Sequence, residues 1–223
     1  MLRTIKITCL ILAALALSAC AFTPKTLANP MSFFITSVNP GKGANFGGLA
    51  GADAYCQKLA ASVQAGRKNW RAYLSSTASG VRAAVNARDR IGRGPWQNAK
   101  GVTVAADVDE LHGANLLGKP TALTEKGRIV SGHGDRVSLH DILTGSTPEG
   151  RAVTDSTAAG DTTCGNWTRS GEGSALVGHH DRMDENDEPA GKSWNSAHAS
   201  RGCSLEALKT TGGGGLLYCF AAN

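Results

Sequence analysis

Residues 48–63 read Gly-Leu-Ala-Gly-Ala-Asp-Ala-Tyr-Cys-Gln-Lys-Leu-Ala-Ala-Ser-Val, and they carry the clearest period in the chain. Leu49, Ala52, Cys56, Leu59, Ala60 and Val63 recur at spacings of three and four, which places them on one face of an α-helix. Asp53, Gln57 and Lys58 fall on the other side. Gly66 is placed to end the helix. Cys56 lies on the apolar stripe, so a disulfide from it would tie the helix to the core.

On either side of this helix the pattern is of strands and Gly-rich loops. Phe33 to Val38 is β-branched and aromatic and is expected to be the first strand. Asn39 to Gly48 is a loop whose glycines miss the G-x-G-x-x-G phosphate fingerprint by one position. Trp70 to Leu74 alternates and reads as a strand. Val81 to Ile91 reads as a second, shorter helix, stopped at Gly92-Arg93-Gly94-Pro95. Residues 96–160 are less legible, with short apolar pieces at Gly101 to Val104 and Gly127 to Val130. Beyond them, Gly165 to Thr168, Ser174 to Val177 and Leu216 to Phe220 are expected strands. No internal repeat or break in composition splits the chain after its leader.

The first residues read as an export signal. Arg3 and Lys6 form a basic region, Ile7 to Leu17 is apolar but short for a bilayer span, and Leu17-Ser18-Ala19-Cys20 resembles a lipobox. Residues 1–19 are expected to be a lipoprotein signal peptide, Cys20 the lipidated residue, and 20–32 a tether to one domain at 33–223. Ala21 carries no inner-membrane retention signal, which points to the outer membrane. The whole chain has 23 Lys+Arg and 18 Asp+Glu. Losing Arg3 and Lys6 leaves a mildly basic surface, which is no nucleic-acid footprint. Gly numbers 28 and aromatics make up only 5% of residues, as expected of a loop-rich domain.

Cys56, Cys164, Cys203 and Cys219 remain after Cys9 and Cys20. An even number in an exported chain reads as two disulfides, and spacing alone leaves three connectivities open. No pair has the short spacing of a structural zinc site.

Several stretches together resemble a family. Gly48 to Cys56 is similar to the opening helix of endostatin domains, and Trp70-Arg71-Ala72-Tyr73-Leu74-Ser75-Ser76 to the strand that follows it. Gly145 to Arg151 and Cys164-Gly165-Asn166-Trp167-Thr168 resemble the later half. Cys203 with Leu217-Tyr218-Cys219-Phe220 resembles the close of endostatin and C-type-lectin-like domains. The resemblance runs from about Phe33 to Phe220 and is shared by bacterial lipoproteins of this layout. It implies an α+β, C-type-lectin-like fold with one main helix and short twisted antiparallel strands. It also implies two nested disulfides, Cys56–Cys219 outside and Cys164–Cys203 inside.

Four groups of residues are candidates for chemistry. Asp181, Asp184, Glu185, Asp187 and Glu188 crowd five carboxylates into eight residues, and hard cations want such oxygens. Glu188-Pro189-Ala190 and Trp194-Asn195-Ser196 resemble the calcium and sugar motifs of C-type lectins, though Ala190 lacks the amide and Ser196 the carboxylate. This makes Asp184, Asp187, Glu188 and Asn195 candidate calcium ligands. Trp167, Trp194, His179 and His180 are candidate ligand contacts. His179-His180-Asp181, His133-x-Asp135 and His140-Asp141 offer zinc ligands or an acid/base pair, but no H-E-x-x-H spacing accompanies them. Arg67, Lys68, Arg71, Arg82, Arg88, Arg90 and Arg93 form a candidate basic face for sulfated glycans. No G-x-S-x-G elbow is present.

The sequence therefore points to a non-enzymatic binding module at the cell envelope, recognising carbohydrate or an envelope or matrix polymer. A structural envelope lipoprotein is the alternative, and a metal-dependent hydrolase is a second one.

Overall fold

A computed structural model describes residues 29–154 and 160–222. The signal peptide, Cys20 and most of the tether lie outside the described residues. In chain order the elements are β1 (Phe33–Ile35), α1 (Gly48–Ser62), β2 (Trp70–Ala72), β3 (Trp96–Gln97), β4 (Thr103–Ala105) and α2 (Val108–Leu111). They continue with β5 (Asp141–Leu143), β6 (Leu176–His179), β7 (His198–Ala199), α3 (Leu205–Thr210) and β8 (Gly213–Ala221). This is a mixed α+β domain with few helices, small sheets and two disulfides.

β8 is the hub, because all nine of its residues are buried. Cys219 in its second half pairs with Phe34 of β1 and with Ala72 of β2, both antiparallel, so these two strands flank it. Its first half runs parallel to β5, with Leu143 opposite Leu217. β6 then adds antiparallel to β5, and β7 to β6. A separate two-stranded sheet joins β3 and β4.

Alternation along the strands sends successive side chains to opposite faces. Phe34, Leu217 and Cys219 meet α1 in one core layer. Phe33, Ile35, Leu216, Tyr218 and Phe220 meet Tyr73, Trp96 and Trp194 in a second. Burial on both faces explains why Leu216 to Phe220 reads as an unbroken apolar run.

The Cys56–Cys219 bond ties α1 to β8, and Cys164–Cys203 lies nested within it. Both pairings are those the family resemblance implies. Two bonds of this kind fit an oxidising, extracytoplasmic compartment. No helix among the described residues is long and apolar enough to cross a membrane.

Several local expectations are corrected. Val81 to Ile91 is not a helix; it holds a single 3-10 turn at Ala87–Asp89. Its residues instead make bridges such as Ser76 with Val85, and Ala87 N–H donates to Ser75 Oγ. Gly165 to Thr168 is not a strand. Cys164 to Trp167 form one left-handed turn, with φ of 49°, 62°, 56° and 66°. Residues before 33 also pack on the fold: Met31 is buried against the α1-side core, and Lys68 Nζ donates to the carbonyls of Asn29 and Met31.

Asp53 is buried rather than on the solvent side of α1. It accepts from Arg71 Nη1 at 2.8 Å, Arg90 Nη2 at 2.6 Å and Ala72 N–H at 3.0 Å. Arg88 is likewise occupied, by Asp109 and the Glu149 carbonyl. Four of the seven basic residues at 67–93, namely Lys68, Arg71, Arg88 and Arg90, are thus engaged in holding the fold.

Candidate functional site

Three strands bring the site together. Asp141, the first residue of β5, is the cross-strand partner of His179, the last of β6. His198, the first of β7, opposes Val177. Directly opposed residues share a face, and so do residues two apart, so Asp141, His179, Val177 and His198 all face one way. Further along this face Leu143 and Val177 enter the α1-side core. The face turns polar where β5 begins.

His140, just before β5, stacks on His179 with ring centroids 4.0 Å apart. Gly212 (φ +106°) makes this close packing possible, since a Cβ there would sit 2.9 Å from His140 Nε2.

Three imidazole nitrogens converge on one carboxylate oxygen. Asp141 Oδ1 lies 3.2 Å from His140 Nε2, 3.2 Å from His179 Nε2 and 3.5 Å from His198 Nε2. The Nε2 atoms of His179 and His198 are 3.0 Å apart. Asp141 and His179 are each only 2% exposed.

The outer nitrogens of these rings fix the tautomers. His179 Nδ1 faces the carbonyls of Gly191 at 2.5 Å and Met183 at 2.9 Å. A carbonyl only accepts, so Nδ1 carries the hydrogen and the neutral ring keeps its lone pair on Nε2. His198 Nδ1 faces the Ala199 carbonyl at 3.2 Å, with the same consequence. His140 Nδ1 faces Asp181 Oδ1 at 3.5 Å. Asp181 is itself anchored by the backbone N–H groups of His133 and Met183.

Charge in the cluster follows from these contacts. Burial works against ionisation of Asp141, but the facing imidazoles of His179 and His198 and the charges of His198 and His140 hold its pKa below the usual carboxylate value. The Asp141 carboxylate raises the pKa of His198 against the opposing effect of burial. Burial also opposes the charge on Asp181, yet His140 and the two backbone donors keep it well below the ordinary range.

A cavity of about 690 Å³ opens above this cluster. His140, His179 and His198 form its floor, Asp184 to Asn186 one part of its wall, and Arg201 and Lys209 another. Apart from Ala199, Gly134 and Gly212, every residue lining it carries a hydrogen-bonding side chain.

Among the residues expected from sequence, His179 is on this floor. His180 is behind it, fully buried, with Nε2 on the Ser131 carbonyl and its pKa lowered by burial. Trp167 and Trp194 are core residues, 0% and 4% exposed, and neither presents a face to a sugar. Trp167 donates its indole N–H to the Ser75 carbonyl, and Trp194 packs against Tyr73 and Tyr218.

The four candidate calcium ligands do not converge. Asp184 accepts the backbone N–H groups of Asn186 and Glu188, Asp187 pairs with Lys192, and Glu188 is exposed. Asn195 is 1% exposed, and its amide is committed to Tyr73 Oη and the carbonyls of Thr147 and Pro148. His140 and His179, candidates from sequence for zinc ligation or acid/base work, are what the fold gathers. His198 was missed because it stands alone in sequence; only the β6–β7 register brings it to His179.

The chain matches no protein-family model and no curated protein.

Proposed function

We propose that this chain is an envelope-displayed, non-enzymatic binding module of C-type-lectin-like fold, anchored through a lipid on Cys20, in the outer membrane. It takes a polar, hydroxyl-rich ligand, a saccharide or a segment of envelope or matrix polymer, in the cavity above His140, His179 and His198. The observation that carries this reading is the cavity lining. Nearly every side chain there is a hydrogen-bond donor or acceptor, which suits a ligand recognised by its hydroxyl, amide and charged groups. Arg201 and Lys209 on the wall favour ligands that also carry carboxylate or sulfate. The nested disulfides and the order of helix, strands and closing strand support the fold assignment.

The test is a glycan and polysaccharide array probed with the full chain and with Arg201→Ala/Lys209→Ala. Retention of a glycan class by the wild type, lost in the double variant, is the expected result. No retention on any surface would leave a structural envelope lipoprotein. Retention unaffected by the double variant would move the ligand to another face.

One observation favours a second reading, a metal-dependent hydrolase: imidazoles and a carboxylate at a cavity floor are a donor set that hydrolytic centres also use. Zinc-dependent turnover of ester, amide or glycoside substrates, lost in His179→Ala, would establish it.

A further inference from the structure

We propose that His140, Asp141, His179 and His198 bind a divalent transition-metal ion of the zinc class at the cavity floor. The proposal stands apart from the ligand reading, because the ion is held by the chain's own side chains whatever enters above it.

Geometry is the first support. A tetrahedral ion about 2.0–2.1 Å from each donor holds the donors about 3.3–3.4 Å apart. The His140–Asp141, His179–Asp141, His198–Asp141 and His179–His198 pairs are separated by 3.2, 3.2, 3.5 and 3.0 Å. The donor atoms of His140, Asp141 and His179 all lie within 4.8 Å of one another. His198, with a side chain 39% exposed, approaches the same carboxylate oxygen from the cavity side.

The second support is the direction of the lone pairs. The Nδ1–H groups of His179 and His198 are turned outward to backbone carbonyls, and His140 Nδ1 faces the Asp181 carboxylate. This is how ligating histidines are held: the far nitrogen donates and the near one is left bare. In the neutral rings the lone pairs of His179 and His198 and the Asp141 carboxylate then face one another, a repulsion that a proton or a metal cation between them relieves.

The third support is the state of Asp141. Its carboxylate is buried, and neither oxygen makes a hydrogen bond of good geometry. A buried polar group without such a partner is costly, and a metal bond would satisfy it. Imidazole donors favour zinc, copper or nickel over calcium or magnesium, which prefer oxygen throughout.

The test uses the full chain with its disulfides formed, stripped with chelator and titrated with zinc alone. One equivalent should bind, and cobalt in its place should give the strong visible absorption of a tetrahedral site. His198→Ala, which removes a half-exposed ring, should weaken zinc by about 10-fold or more, and His140→Ala/His198→Ala should abolish stoichiometric binding. Asp187→Asn/Glu188→Gln, on exposed carboxylates outside the cavity, should bind zinc like the wild type. A wild type that binds no zinc would overturn the proposal. So would a folded His198→Ala variant with unchanged affinity and cobalt spectrum, which would place any bound ion elsewhere.

Discussion

Asn195 Nδ2 donates to Tyr73 Oη at 2.9 Å, joining two residues 122 positions apart inside the core. Tyr73 Oη is also 2.7 Å from His112 Nε2, and His112 Nδ1 is 2.7 Å from the Val108 carbonyl. The carbonyl fixes the direction of the whole relay. His112 donates through Nδ1, Tyr73 donates to His112 Nε2, and Asn195 donates to Tyr73. Asn195 is therefore a core fastener, and its Oδ1 is engaged by Ser193 Oγ at 3.1 Å.

Asn195→Leu should accordingly destabilise the protein. It leaves the Thr147 and Pro148 carbonyls without their amide donor. An unsatisfied buried polar group costs about 1–3 kcal/mol, a fall in melting temperature of roughly 2–10 °C for a domain of this size. The fall should be equal in EDTA and in millimolar calcium. A calcium-dependent difference between variant and wild type would restore Asn195 to a cation shell.

His112 makes the same relay sensitive to pH. Burial lowers its pKa in the folded state, against the opposing Val108 carbonyl, and Arg88 nearby adds to the lowering against Asp109 and Glu149. A depressed histidine pKa means that the unfolded chain binds more protons, so stability rises with pH. The contribution is full above the unfolded value near 6.5 and is lost as pH falls below it. Chemical denaturation between pH 7.5 and 5 should give a steeper decline for the wild type than for His112→Gln. Parallel curves would show that His112 does not contribute.

The Asp53 cluster separates buried from exposed charge. The Asp53 side chain is 8% exposed and that of Arg90 14%, whereas Arg71 is 47% exposed. Asp53→Ala leaves the Arg90 guanidinium without its carboxylate and should cost about 3–5 kcal/mol. Arg71→Ala removes a half-solvated partner and should cost about 1 kcal/mol or less. Equal costs in denaturant titrations would contradict this division.

These contacts mark where sequence reading succeeds and where it stops. The α1 stripe is legible because Ala52, Cys56 and Ala60 repeat at a period that one helix satisfies by itself. The closing strand is legible because Leu216 to Phe220 is apolar throughout. Asp53 reads as solvent-facing because nothing local announces that β2 brings Arg71 over it. Gly165 to Thr168 reads as a strand because the left-handed turn at Cys164 to Trp167 is held from a distance, by Thr77 and the Cys203 bond. The site is harder still. His140-Asp141 and His179 are visible as pieces, but their meeting depends on the Asp141–His179 register, and His198 arrives on a third strand.

The two disulfides should differ in what their loss does. They close chain separations of 163 and 39 residues. The loop-entropy model assigns them about 5 and about 4 kcal/mol. The second figure is offset by local strain. Four consecutive residues from Cys164 to Trp167 adopt positive φ; Gly165 does so freely and Asn166 tolerates it, but Cys164 and Trp167 do not. Removing the Cys164–Cys203 bond lets that turn relax, so Cys164→Ser/Cys203→Ser should cost clearly less than the model value. Cys56→Ser/Cys219→Ser offers no such relief, because Cys56 lies within α1 and Cys219 within β8, both in regular backbone. Urea titrations of the two double variants should therefore place the Cys56/Cys219 pair well below the Cys164/Cys203 pair in stability. Hydrogen exchange should show the second variant loosened around residues 160–168 and 200–204 while β8 stays protected. If the Cys164/Cys203 variant is the less stable of the two, the left-handed turn is not a source of strain and the bond holds more than its own loop.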